Sequence, residues 1–334
     1  MRPNLSALRL MFVIAILVPV VGCASWDRAE VSVISETGGD TWLESVAAPP
    51  ELKSALSEAR LFYIPTDDFA DIPVRVFGDD GVKTPVIMAH GLQSHSGWFA
   101  QSAAHIAGLG HPVYSMDRRG SGLSRSPRGD MKDFHEMIQD ISVVADFVCR
   151  KHDTEKILIL GHCFGAIPIT AFACEYPRRV KGMLLTTPAI YTQTTVPLYA
   201  KLRIITTRPG RRDFMIPVPL DSSWFTDLQA YENFIASDYL SLKQASGDFY
   251  YQIHEARLFI RSHTDRLTMP VFMGVAREDP ICDNKGNFDF FEKLPSRRKQ
   301  LIEYTDARHI LEFSTEKELY FDDLDHWLST VERG

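Results

Sequence analysis

No run of basic residues and no basic face stands out in this chain. Acids and bases are mixed along its length and the net charge is −7, which argues against nucleic acid as a partner. Internal repeats and low-complexity segments are also missing. The apolar run Leu10 to Gly22 (LMFVIAILVPVVG) is too short to span a bilayer comfortably. Cysteine is sparse, five in all, a number that permits disulfides in a secreted compartment without demanding them. What remains is a chain of 334 residues, 45% of them hydrophobic. That is enough to bury a sizeable core in one large α/β domain or two small ones.

The N-terminus reads as a targeting segment. Arg2 and Arg9 give a positive start, the short apolar run follows, and it ends at VVGC, Val20 to Cys23. This end resembles a bacterial lipoprotein lipobox, which implies removal of residues 1–22 and lipidation of Cys23. A plain signal peptide or an uncleaved anchor is the alternative. Ala24 and Ser25 follow, and by the same resemblance the lack of aspartate there favours the periplasmic face of the outer membrane in a two-membrane bacterium. Two or three acyl chains hold a protein at a membrane where one binds marginally.

Residues 23–59 are turn-rich, with SETGGD and AAPPE and no long periodic stretch, and are expected to be a tether. From about residue 60 strands and helices alternate. PVRVFG (73–78), PVIMAHG (85–91), HPVYSMD (111–117), KILILG (156–161), VKGMLLTTP (180–188), PVFMGVA (270–276) and QLIEYT (300–305) read as strands. Between them, 98–110, 134–148 and the stretch to about 173 have helical signals, and 315–331 reads as the last helix. Alternation of this kind predicts an α/β fold with a mostly parallel central sheet and helices on both faces. Residues 190–268 break the rhythm and are expected to be an inserted helical cap, with the core formed by 60–189 and 269–334.

GHCFG, Gly161 to Gly165, is the one place where a Ser or Cys stands between glycines at this spacing. Between an apolar strand and a helix, such a turn lifts its central residue above the sheet edge as a nucleophile. Cys163 is that residue; a merely buried cysteine is the bland alternative. A nucleophile needs a base, and the base an orienting acid, in the chain order acid then His. Asp279 in AREDPICD is the favoured acid, with Glu278 and Asp283 as rivals, and His309 in TDARHILEF the favoured base. The oxyanion-stabilising N–H groups are expected from Phe164 and from Leu92 in HGLQSHSGW. His90, His105 and His135 read as structural, and His162 as pointing away from the nucleophile. No metal or other cofactor is expected.

Together these stretches, with DRRGSGLS (117–124) and the cap words TTRPGRRDF, WFTDL and SDYLSL, resemble the α/β-hydrolase superfamily. The likeness is to its monoacylglycerol lipase and lysophospholipase branch, often called serine aminopeptidase-like, over roughly residues 60–332. That branch has serine where this chain has Cys163, a substitution that resembles dienelactone hydrolases, polyhydroxyalkanoate synthases and bile-acid acyltransferases. The resemblance implies a membrane-tethered hydrolase of lipid-like esters or thioesters. Two other readings stay open: an acyltransferase to an amine or hydroxyl using the same three residues, and a non-catalytic binding protein on the same fold. Cys149 and Cys174 are either a disulfide or two buried thiols, and Cys282 is expected near the mouth of the site.

Overall fold

A computed structural model describes residues 41–68, 70–206 and 214–333. Cys23 and the targeting segment lie outside them. The strands are β1 (Arg60–Ile64), β2 (Ile72–Phe77), β3 (Val86–Ala89), β4 (Val113–Met116), β5 (Ile157–His162), β6 (Val180–Thr186), β7 (Met215–Pro217), β8 (Gln244–Ser246), β9 (Val271–Ala276) and β10 (Lys299–Tyr304). The helices are α1 (Thr41–Ser45), α2 (Pro50–Ser57), α3 (Ala100–Gly108), α4 (His135–Lys151), α5 (Ala166–Glu175), α6 (Leu198–Thr206), α7 (Gln229–Ser237), α8 (Gly247–Ser262), α9 (Asn284–Lys293) and α10 (Lys317–Arg333).

Eight strands form one sheet in the order β1-β2-β4-β3-β5-β6-β9-β10. Only β2 pairs antiparallel, with β1 and with β4; all other neighbours are parallel. The apolar runs of β3, β5 and β9 are buried at every residue, as strands covered on both faces must be. On α4 the expected stripe is the buried one: Ile138, Ile141, Val144, Ala145 and Val148 all lie inside. After β3 the chain runs to β4 on one side, while β5 lies on the other. This switch point is where a parallel sheet opens a crevice at the carboxyl ends of its strands.

Two expectations need correcting. The stretch read as a tether is packed over its described part: Trp42 is 1% and Leu52 0% exposed. Trp42 Nε1 donates to Asp238 at 2.7 Å, a contact nearly two hundred residues away in sequence, and α2 opens with Pro50 at its first turn. Both helices are too short to show a period, so distant packing rather than local pattern orders them. Cys149 and Cys174 are both free thiols, so the disulfide alternative does not hold.

Between β6 and β9 the chain leaves the sheet for α6, β7, α7, β8 and α8. Main-chain bonds fasten this segment to the core, from Leu242 N to Gln93 O (2.8 Å), Ser246 N to Gly129 O (2.7 Å) and Ile310 N to Phe225 O (2.9 Å). Among the described residues no helix is long and apolar enough to cross a membrane.

Candidate active site

The turn after β5 is as tight as its glycines require. A Cβ on Gly161 would lie 2.7 Å from Ala166 Cα, and one on Gly165 only 2.1 Å from the Ala89 carbonyl. Cys163 itself has φ +51°, a left-handed conformation that costs a non-glycine residue energy and is found at functional sites. It opens the single 3-10 turn Cys163–Gly165 that leads into α5. The residue is nearly buried, 3% exposed, and lines a cavity of about 760 Å³.

Register brings the other groups to the same edge. Ala89 pairs with Gly161 across β3 and β5, so the loop after β3 runs beside the turn. A Cβ on Gly91 would come within 3.3 Å of Cys163 Cβ. Asp279 follows β9 and His309 follows β10. His309 Nδ1 lies 2.8 Å and 3.0 Å from the two Asp279 carboxylate oxygens, with both side chains fully buried. Asp279 also accepts the main-chain N–H groups of Ile281 and Cys282 at 2.8 and 3.1 Å. His309 Nε2 is buried and has no well-formed hydrogen bond; the Cys163 thiol is the acidic group that reaches it. The structure thus brings Cys163, His309 and Asp279 together. Glu278 is exposed, and Asp283 caps α9 through Gly286 N.

The electrostatics favour an ion pair. Burial pulls His309 down, but the Asp279 carboxylate and Cys163 raise it to about 10. A hydrogen bond from Cys282, with the charge and hydrogen bond of His309, holds the Cys163 thiol well below its ordinary range in spite of burial. Burial raises Asp279, and the paired His309 more than reverses this.

Cys282 is not at the mouth of the site, as its sequence position suggested, but fully buried beside Cys163. Its Sγ donates to the Thr187 carbonyl at 3.0 Å. Burial, then the bond to Cys163, pushes this thiol well above its usual range. Ligand atoms of Asp279, Cys282 and His309 lie within 4.8 Å of one another, a donor set that a zinc ion accepts. Each donor already has a use here: Asp279 holds His309, and Cys282 donates to the Thr187 carbonyl.

Leu92 and Phe164 both line the cavity beside Cys163. Arg118 links the two residues. Its Nη2 donates to the Leu92 carbonyl at 2.6 Å, and its guanidinium lies 5.1 Å from the ring centres of both Phe164 and Phe249. His162 bonds Thr186 Oγ1 at 3.1 Å and lies against Phe99 and His309, a supporting place under the base. His90 receives Arg118 N at 3.2 Å. His105 pairs with Asp325 and His135 with Asp133, both away from the site. The sequence reading missed three contributors: Thr187 (φ +40°), Arg257 of α8, and the closeness of Cys282. Only Cys282 carried a signal, its place three residues after Asp279.

Comparison with known proteins agrees with this architecture. The serine aminopeptidase, S33, family model matches residues 80–317. Human monoglyceride lipase is 26% identical over 257 residues, covering 74% of this chain and 82% of its own. The crystal structure of Paleococcus ferrophilus monoacylglycerol lipase, 22% identical, covers 78% of this chain and 99% of its own with a TM-score of 0.69. That of a soluble variant of Saccharomyces cerevisiae monoglyceride lipase in complex with a substrate analog, also 22% identical, covers 82% and 96% with a TM-score of 0.68. With a family model spanning most of its length and a sheet that carries its candidate triad at the carboxyl edge, this chain belongs to the serine aminopeptidase S33 family of α/β-hydrolases, in the branch similar to monoacylglycerol lipases.

Proposed function

We propose that the protein hydrolyses lipid-like carboxylic esters or thioesters through a covalent thioester on Cys163, at the cell envelope, held there by lipidated Cys23. One observation carries the chemistry: a buried carboxylate–imidazole pair, 2.8 Å apart, stands beside a thiol that lines a large cavity. The relatives named above are monoglyceride lipases, which supports an acyl ester as substrate.

In this reading the Cys163 thiolate attacks the carbonyl carbon. The C–S bond forms and the carbonyl pair moves onto oxygen, where the Leu92 and Phe164 N–H groups receive it. Collapse expels the alkoxide or thiolate, which takes the proton from His309 Nε2. His309 then removes a proton from water as the water attacks the thioester, and the acid leaves as the Cys163 thiolate is restored. Asp279 keeps His309 oriented and stabilises its positive charge. No step needs a metal or other cofactor.

Intact mass spectrometry of the full chain in detergent, incubated with acyl esters and thioesters, tests this. An acyl adduct on the wild type that decays in water and is absent from Cys163→Ala is expected. An adduct that clears only when an amine or alcohol is added would replace hydrolysis with transfer, and no adduct with any donor would overturn the proposal. Mass analysis of the protein from bacterial membranes, looking for diacylated or triacylated Cys23, tests the anchor.

A further inference from the structure

The cavity that ends at Cys163 is lined with more positive charge than a neutral ester needs. Arg257 and Arg261 stand one turn apart on α8, on the same face, and both line the cavity, with Lys201 of α6. Glu255 is the only acid in this lining among the described residues, and the Tyr251 hydroxyl hydrogen-bonds to it. Much of the remaining wall is apolar, including Leu92, Phe164, Ile190 and Ile253. The cavity therefore has an oily part and a cationic part.

Arg257 carries the argument. Its Nη2 donates to the Ala189 carbonyl at 2.7 Å and to Thr192 Oγ1 at 3.4 Å, so the guanidinium is fixed in place. Its Nε is buried and has no partner. No carboxylate pairs with Arg257 or Arg261 among the described residues. Burial, the largest influence, and the like charge of Arg261 both disfavour the charged form, and the Cys163 thiolate favours it. A desolvated guanidinium without a carboxylate is expensive. Such a group is economical only where something else supplies the anion.

We propose that the cavity selects acyl substrates carrying an oxyanion group, a phosphate or carboxylate, a few bonds from the scissile carbonyl, and that Arg257 and Arg261 receive it. The apolar wall takes the acyl chain. Arginine suits this role because its planar fork can bind two oxygens at once. The inference rests on Cys163 being the acylated nucleophile. Its rival is that Arg257 serves only the Cys163 thiolate or pins the loop after β6.

Direct binding to full-length Cys163→Ala separates these, because it needs no turnover and so does not depend on the acyl-enzyme experiment. Calorimetry compares lauroylglycerol, lauroylglycerol phosphate and lauroyl lactate, below their micellar concentrations. The two anionic esters are expected to bind roughly tenfold or more tightly than the neutral one at low salt, with the advantage shrinking as salt screens it. Adding Arg257→Gln is expected to remove that advantage, weakening the two anionic esters far more than lauroylglycerol. Arg261→Gln, on an exposed residue that lies 5.1 Å from the Tyr191 ring centre and has no hydrogen bond from its guanidinium among the described residues, is expected to reduce it partly, and this serves if Arg257→Gln misfolds. Tight binding of the phosphate but not the carboxylate would narrow the class and keep the proposal. Equal binding of all three esters, or equal weakening of neutral and anionic esters by Arg257→Gln, would overturn it.

Discussion

The hydroxyl of Thr187 donates to the main-chain carbonyl of His309 at 2.8 Å. Thr187 stands just after β6, where its N–H bonds Gly274 O at 2.7 Å and its carbonyl accepts the Cys282 thiol at 3.0 Å. One residue thereby ties the loops after β9 and β10 to the centre of the sheet. It does so with φ +40°, a conformation a β-branched residue adopts only at a cost of roughly 1–3 kcal/mol.

Thr187→Val keeps the shape and removes the bond to His309. The base is then free to drift, and kcat is expected to fall roughly tenfold or more with little change in KM, as expected when positioning is lost. Thr187→Ser, which keeps the hydroxyl, should retain most activity. Steady-state kinetics on both variants, beside thermal melting, distinguishes this from simple loss of stability.

Much of this site was legible in the sequence because the sheet imposes local patterns. The apolar run of β5 and the paired glycines 161 and 165 announce a nucleophile turn, and chain order then selects Asp279 and His309. What escaped was set by contacts between distant segments. Thr187 has ordinary chemistry and an unusual backbone angle that no residue pattern reveals. Arg257 reaches the site only because α8 returns over the sheet. Trp42 and Leu52 read as tether because nothing local requires their burial.

Asp238 is the joint between the inserted segment and the core. Its carboxylate accepts Trp42 Nε1 and Trp98 Nε1 at 2.7 Å each, Leu240 N at 2.9 Å and Ser241 Oγ at 3.0 Å, with His95 at 3.2 Å. Burial would raise this carboxyl, but His95 and the indole donors hold it below the usual range. Asp238→Ala strands those donors and is expected to cost on the order of 3 kcal/mol in chemical denaturation. Because the folded pKa is depressed, the contribution is present above the ordinary carboxylate pKa and fades as pH falls. The deficit of the variant should therefore shrink in acid.

Glu312 has the opposite sign. It is buried and accepts the Ser102 hydroxyl, and burial pushes its carboxyl up to about 8. A raised carboxyl contributes fully below its ordinary pKa and loses that contribution as pH rises toward 8. Wild-type melting should therefore fall between pH 5 and pH 8 relative to Glu312→Gln, by on the order of a few kcal/mol at the upper end. A constant difference across that range would contradict a buried, neutral Glu312.

The Cys163–His309 pair predicts its own pH profile. Cys163 is lowered, so its thiolate persists above that depressed range and is lost only as pH falls well into acid. His309 is raised to about 10, so its proton is lost only near there. Alkylation by iodoacetamide should be near its maximum at pH 7, where an ordinary thiol with a pKa of about 8.5 is only a few per cent ionised. Ester turnover should hold a plateau through neutral pH and decline near pH 10, as the general acid disappears. Asp279→Asn removes the charge that supports the imidazolium, so the alkaline limb of the profile should move toward neutrality.

Cys282 decides how much of that reactivity the nucleophile owes to a neighbour rather than to its base. Its single thiol proton is shared between the Thr187 carbonyl, 3.0 Å away, and Cys163, on which it is the largest influence lowering the thiol. Cys282→Ala removes the donor without adding charge, so the acid limb of the alkylation profile should move to higher pH, with the rate at a fixed pH on that limb falling roughly tenfold, the size expected for one hydrogen bond to an anion. Cys282→Ser keeps a donor and should fall less. The triad geometry is untouched by either change, so kcat at pH 8, where the thiolate forms regardless, should stay close to the wild type. If Cys282→Ala instead leaves the acid limb in place and lowers activity equally at every pH, then His309 alone ionises Cys163 and Cys282 acts only by filling space beneath it.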